Sequence, residues 1–208
     1  MDEGLNDIIA VARAVLDEKY RAREAALAHG RALTRTCANA IRALHRGEFD
    51  AARAALDGAR AEAAQVTASL TAHPDLYHAG YVQDAHKELA EAEALFALIR
   101  KEPLPTPEGL GLQVAAYLNG LAEAASEGRR FALDCLRRGE IDRAQEMLAD
   151  MDEILSVLTT VDYPDALTSG LRRTCDALRA VVERTRGDVT LAVLQERHVR
   201  RLEGGTQS

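Results

Sequence analysis

Apolar residues recur along this chain at steps of three and four, the period of a helix with one buried face. From Glu48 to about Leu70 the series is Phe49, Ala52, Leu56, Ala59, Ala63, Val66 and Leu70, a coiled-coil-like seam with small residues that let helices approach closely. Upstream, the pattern predicts one or two long helices from about Leu5 to Leu44. Ile8, Ala12, Val15 and Leu16 open it, Leu33, Cys37, Ile41 and Leu44 close it, and Gly47 stops it. His73-Pro74 breaks the next seam, and a helix is predicted from Asp75 to about Arg100. Within it Tyr81, Ala85, Leu89, Ala92, Phe96 and Ile99 form an amphipathic stripe. Glu102 to Gly111 is rich in Pro and Gly and reads as a connector inside one bundle.

The second half repeats this style of patterning. A helix is predicted from about Leu112 to Arg138, ending at Gly139, and another over Glu140 to Thr160 with Ile141, Ala144, Leu148, Met151, Leu155 and Leu158 as its seam. After the turn Asp162 to Asp165, a sixth helix carries Leu167, Leu171, Thr174, Leu178 and Val181. Gly187-Asp188 then punctuates the pattern, with Asp188 as N-cap of a last short helix, Val189 to about Arg200. No internal repeat is apparent. The expectation is an all-α fold: one bundle of about seven helices over residues 1–203, with a disordered tail at 204–208.

Composition agrees. Aromatics make up 4% of the 208 residues, Trp is absent, and strand-type runs of Val, Ile, Tyr and Phe are missing. Against 33 acidic residues there are 26 Lys and Arg, a net charge of −7, so no global basic footprint for nucleic acid exists. Cys37, Cys135 and Cys175 are far apart and form no CxxC pair, which points to small buried hydrophobes in a reducing compartment rather than zinc ligands or disulfides. The acidic start MDEGLND has no signal-like apolar core, and no apolar run approaches the ~20 residues of a membrane span. A soluble, cytoplasmic protein without a membrane partner is expected.

Candidate chemistry lies in carboxylates. At about 100° per residue, Glu88 falls inside the arc of Ala85, Leu89, Ala92, Leu95 and Ile99, and Glu91 sits about 60° away at its edge. An ionised carboxylate there costs several kcal/mol unless it is paired or metal-bound. Glu123 and Glu127, about 40° apart on a later helix, lie off the arc of Leu118, Leu121, Ala125 and Leu136. Alone they read as an ordinary solvated pair. Together, the two pairs can build an oxygen-rich site for Mg²⁺ or Mn²⁺, the usual apparatus for cutting phosphodiesters, with Arg129 and Arg130 one turn on for phosphate. Neither pair has a His three residues on, as a ferritin-type di-iron site requires, and no phosphate-loop, dinucleotide or serine-hydrolase motif occurs. The six histidines are scattered and read as surface or structural groups.

The chain resembles the translin/TRAX family, and more closely its TRAX-like branch in its prokaryotic or archaeal form. The resemblance is carried in order by RALTRTCANAIRALHR, KELAEAEALF, YLNGLAEAASEGRR, CLRRGEIDRAQEML, DYPDALTSGLRR and VERTRGDVT. It implies a translin-like all-α fold and an Mg²⁺-dependent ribonuclease site of two carboxylate pairs. KELAEA puts Glu88 and Glu91 on the first pair, and GLAEAASEG puts Glu123 and Glu127 on the second, with Glu123 where the family often has Asp. These four are the expected catalytic and metal ligands, for Mg²⁺ or Mn²⁺. Arg31, Arg35, His45 and Arg46 form a loose basic stripe that the resemblance makes an RNA-contact surface, with Arg130 near the phosphate. It also implies a hollow homo-oligomeric shell, for which an octamer is a candidate, enclosing single-stranded RNA or single-stranded DNA.

The expected function is therefore a metal-dependent endoribonuclease acting on single-stranded RNA. A binding protein with a vestigial site is the first alternative. The second is an all-helical nucleoside-triphosphate pyrophosphohydrolase, whose later acidic pair usually has a Glu-x-x-Asp spacing that Glu123 and Glu127 do not match. A helical scaffold without chemistry is the third.

Overall fold

A computed structural model describes residues 2–205, with side chains for residues 4–202. Among these residues there are nine helices and no strand: α1 Asp2–His45, α2 Phe49–Ser69, α3 Pro74–Tyr77, α4 Gly80–Arg100, α5 Pro107–Leu110, α6 Val114–Arg137, α7 Ile141–Leu158, α8 Asp165–Thr168 and α9 Leu171–Gly205. The all-α expectation holds. Six helices are long, and α3, α5 and α8 are single turns that reorient the chain between them. No helix of the described residues is long and apolar enough to cross a membrane.

The α1–α2 hairpin packs on one side of α4, and α6 packs on the other, backed by α7 and α9. The central α4 is buried on every side from Ala92 to Ile99, so its C-terminal half is a core helix and not the amphipathic one expected. One charged residue goes into the core with it. Glu93 is 2% exposed, receives Arg53 Nη2 at 2.9 Å and Arg60 Nη2 at 2.9 Å, and is bonded by Arg60 Nε at 2.5 Å. Arg53 also lies over the Phe96 ring, 4.8 Å from its centroid. A buried carboxylate is tolerated when charge-assisted hydrogen bonds saturate its oxygens, as here.

The boundaries differ from the sequence expectation in several places, among them the sixth helix, which is split at Ser169–Gly170 so that Leu167, on the short α8, is exposed. The helix expected from Asp75 is split: α3 starts at Pro74, and α4 begins at Gly80 after an extended Ala79. Gly is a poor interior helix residue, and the break lets Val82 join a small second core with Ala26, Val66 and Leu70. The separate helix expected from Val189 is the continuation of α9, which runs through Gly187 because Val182, Thr185 and Val189 form one buried stripe across it. Asp188 therefore caps nothing and pairs with Arg129 Nη2 at 2.9 Å. Of the tail expected at 204–208, Gly204 and Gly205 continue the α9 backbone, and the rest lies outside the described residues.

A local repeat also emerges. Arg46-Gly47-Glu48 after α1 and Arg138-Gly139-Glu140 after α6 turn in the same way, each glycine at φ +76°. Glu48 N donates to Ala43 O at 3.0 Å and Glu140 N to Cys135 O at 2.9 Å, the left-handed helix stop that glycine accommodates at low cost. The flanking Arg–Glu pairs are equivalent too, Arg46 Nε to Glu48 Oε1 at 2.8 Å and Arg138 Nε to Glu140 Oε1 at 2.9 Å.

The apolar residues that were to open the first seam have no intramolecular partner face. Every side chain from residue 4 to 18 is exposed, Ile8, Val15 and Leu16 among them. All three cysteines are buried free thiols, as expected.

At Gly120 the helices α4 and α6 cross at close range. A Cβ added at Gly120 would lie 2.5 Å from Lys87 O, 2.6 Å from Ala90 Cβ and 2.9 Å from Glu91 N, all of them fixed backbone or core atoms. Gly120→Ala is therefore expected to lower stability by about 1–3 kcal/mol by forcing the helices apart. Gly58→Ala, where nothing lies within 4 Å, should be neutral or stabilising by up to about 1 kcal/mol. Thermal denaturation of both variants checks this contrast.

Candidate functional site

Because Gly120 seats α6 against the backbone of Lys87 and Glu91, carboxylates from the two helices converge. Glu88, Glu91 and Glu123 each offer an oxygen, and the three oxygens lie within 4.8 Å of one another. The sequence placed Glu123 off the apolar arc of α6, and so it is. However, the close face of α6 is its small-residue side, with Ala116, Gly120 and Ala124 buried, while Leu118 and Leu121 are only partly covered. Large apolar residues marked the wrong side as the tight one.

Glu127, one turn further on α6, is outside this triad of oxygens. Its Oε1 is hydrogen-bonded to His45 Nε2 at 2.7 Å, and Arg130 Nη1 stands 4.0 Å from the same oxygen. Its charge still reaches Glu91. Glu123 is also engaged: Lys87 Nζ donates to its Oε1 at 2.8 Å across the helix interface. Among the described residues neither Glu88 nor Glu91 has an ion-pair partner.

The electrostatics follow from that asymmetry. Burial pushes the Glu91 carboxyl up to about 8, and the charges of Glu88, Glu123 and Glu127 push the same way while Lys87 opposes. Glu88 is raised from the ordinary carboxylate range for the same first reason, burial. It is half-buried and not sunk in the core, because it lines a cleft of about 560 Å³ between α1 and α4. Under the cluster lies Cys37, whose thiol is pushed up to about 12 by burial and by Glu88, Glu93 and Glu91. It is an inert core group. His86, two residues before Glu88, faces away into the core at 0% exposure, and burial depresses its imidazole to about 4.

The basic residues divide. Arg31 and Arg35, one turn apart on α1, line the cleft opposite Glu88 and have no carboxylate partner among the described residues. The His45 side chain is 2% exposed, so it belongs to the carboxylate side of the site and not to an open basic stripe. Arg46 is exposed at the turn after α1 and clamped on Glu48. Arg130 is exposed beside Glu127. Arg129 is committed to α9, through Thr185 Oγ1 at 3.1 Å and Asp188, which removes it as a phosphate contact. The sequence reading missed three residues: Lys87, the buried Glu93, and the role of His45. Lys87 and Glu123 had no readable link, being on different helices, whereas Arg53 and Arg60, seven apart on α2, were a legible hint that a buried acid faces them.

The crystal structure of AfC3PO superposes on 90% of this chain and 97% of its own, with a TM-score of 0.83 and 33% identity. The chain belongs to the translin/TRAX-like family of C3PO-type proteins. A complex of AfC3PO with duplex RNA matches over the same shares with a TM-score of 0.78. Apo-NeC3PO shares the translin-like fold at 18% identity and a TM-score of 0.79, over 89% of this chain and 96% of its own. An uncharacterised protein of Methanocaldococcus jannaschii is 26% identical over 196 residues, covering 91% of this chain and 86% of that one. No family model matches.

The oxygens of Glu88, Glu91 and Glu123 form a hard, flexible donor set that fits Mg²⁺ or Mn²⁺. Without metal, the site has a definite pH signature. Glu91 holds its proton to a higher pH in the folded chain than in the unfolded one, so between about 4.5 and 8 the native state binds more protons. Stability must fall as pH rises through that window. Glu91→Gln should therefore raise the melting temperature in EDTA above pH 8, and the gain should vanish below pH 4.5; a melting series across pH checks it.

Proposed function

We propose that this translin/TRAX-like protein is an endoribonuclease that cuts single-stranded RNA with Mg²⁺ or Mn²⁺. The observation that carries the reading is the convergence of Glu88, Glu91 and Glu123, with Glu127 alongside on the same helix as Glu123; Glu88 also lines a cleft that Arg31 and Arg35 line with it. Glu88, Glu91 and Glu123 would hold the cation. It would supply Lewis-acid activation of the attacking water and compensation of charge developing on phosphate. One of these carboxylates would orient or deprotonate that water. His45 acts as a positioning residue that fixes Glu127. Arg31 and Arg35 carry uncommitted guanidiniums for strand phosphates, Arg130 is available at the far rim, and Arg46 would first have to release Glu48.

Support for RNA as the partner comes from AfC3PO, of which a structure in complex with duplex RNA is known. Support for a single strand at the cutting site is physical. Glu123 and Glu127 are partly covered, each 32% exposed, and a lone strand can bend a phosphate toward them more readily than a rigid A-form duplex can. Single-stranded DNA would enter the same way. The solvent-facing apolar residues Ile8, Val11, Val15 and Leu16 on α1 and Leu191 and Leu194 on α9 support self-association into a closed homo-oligomer, with an octamer as the candidate number.

A second reading, RNA binding without cleavage, is favoured by one feature: Glu123 is already occupied by Lys87. The pyrophosphohydrolase alternative loses support from a match to AfC3PO along 90% of the chain.

With labelled RNA and Mg²⁺, Glu123→Ala is expected to lose at least ~10²-fold in cleavage rate while keeping RNA affinity and a folded state; EDTA should silence the native protein equally. Cleavage by the variant at the native rate would sink the nuclease assignment, and absence of cleavage by the native protein, with binding intact, would select the second reading. Parallel single-stranded and duplex substrates test the strand preference. Light scattering of the purified protein should give an oligomer mass, and a monomer would remove the shell.

A further inference from the structure

Lys87 stands where nothing in a metal-binding site requires a lysine. Its Nζ donates to Glu123 Oε1 at 2.8 Å, and both side chains are substantially covered, at 25% and 32% exposed. Among the described residues it is the sole Lys or Arg in hydrogen-bond contact with any of the three clustered carboxylates. Asp84 and Glu88 also act on it electrostatically. The contact is enforced by packing: the Lys87 backbone carbonyl is the atom that a side chain at residue 120 would strike, so the start of the lysine stem cannot retreat from α6. A small cavity of about 120 Å³, lined by Gln83, Asp84, Lys87, Asn119, Glu123 and Thr174, adjoins the pair and leaves the ammonium room to move.

We propose that Lys87 is the resident counter-cation of the carboxylate cluster and competes with the divalent cation for Glu123. The inference rests on the cluster being a metal site. Three acids clustered at one helix crossing repel each other, and an internal ammonium relieves part of that repulsion while no metal is bound. An entering cation must then either take Glu123 from the lysine or bind beside a like charge. In both cases Lys87 weakens metal binding and makes the metal-free form more stable than the acids alone would allow. It acts as a positioning and affinity-setting residue, not a catalytic one.

Manganese binding to the full-length protein, measured by calorimetry or by the electron paramagnetic resonance of free Mn²⁺, tests this. Lys87→Met, which keeps the stem and removes the charge, should bind Mn²⁺ about tenfold more tightly than the native chain. In EDTA the same variant should melt lower, and adding Glu123→Gln to it should restore part of the loss, since the uncompensated charge is then gone. Should Lys87→Met not fold, Lys87→Gln serves for the binding comparison. Unchanged or weaker Mn²⁺ binding by the variant, with normal binding by the native protein, overturns this proposal alone. No Mn²⁺ binding by either protein at millimolar concentration overturns the metal reading and this proposal with it.

Discussion

The close crossing of α4 and α6 at Gly120 is the constraint on which the rest depends. Without a side chain at that position, two backbones meet at a distance that holds carboxylates of different helices within 4.8 Å. Like charges do not collect spontaneously at such separations. The hydrophobic burial of α4, continuous from Ala92 to Ile99, supplies the driving force that overrides their repulsion. The site is thus a strained feature maintained by a core beside it, a common condition for functional positions.

Two acids on the same helix show how differently the fold treats charge. Glu93 faces α2, is almost fully buried, and has both oxygens filled by Arg53 and Arg60. Glu91, half a turn away, has no counter-ion and carries a strongly raised carboxyl. The first arrangement is complete within the chain and holds two helices together. The second is incomplete, and an incomplete buried charge is what a ligand of opposite sign would complete. His45 on Glu127 and Lys87 on Glu123 are partial answers, each leaving the neighbouring carboxylate unpaired.

How much of this was legible beforehand depends on where the information lay. The seam from Phe49 to Leu70 and the helix stops at Gly47 and Gly139 are local patterns, and the structure follows them. The break at Ala79 and the continuity through Gly187 were misjudged because tertiary packing decided them: Val82 and Val189 each had a core to join. Glu88 was found as a charge out of place, although it turned out to border a cleft. The basic stripe was read as one surface, yet Arg31 and Arg35 face the cleft, His45 is buried against a carboxylate, and Arg46 is tied to its own turn.

The sequence by itself determined the fold class, since three-and-four periodicity in an Ala-rich chain leaves the backbone little choice but helix. It also determined which residues could do chemistry, because four acids at helical spacing can be counted in one dimension. Only the tertiary structure decided which of them meet. That depends on which faces of α4 and α6 touch, and small residues such as Gly120, which mark close approach, carry too little hydrophobicity to announce it in a linear pattern. The partners of the carboxylates, Lys87 and His45 among them, were equally invisible, because each ion pair joins helices whose relative register no local rule encodes.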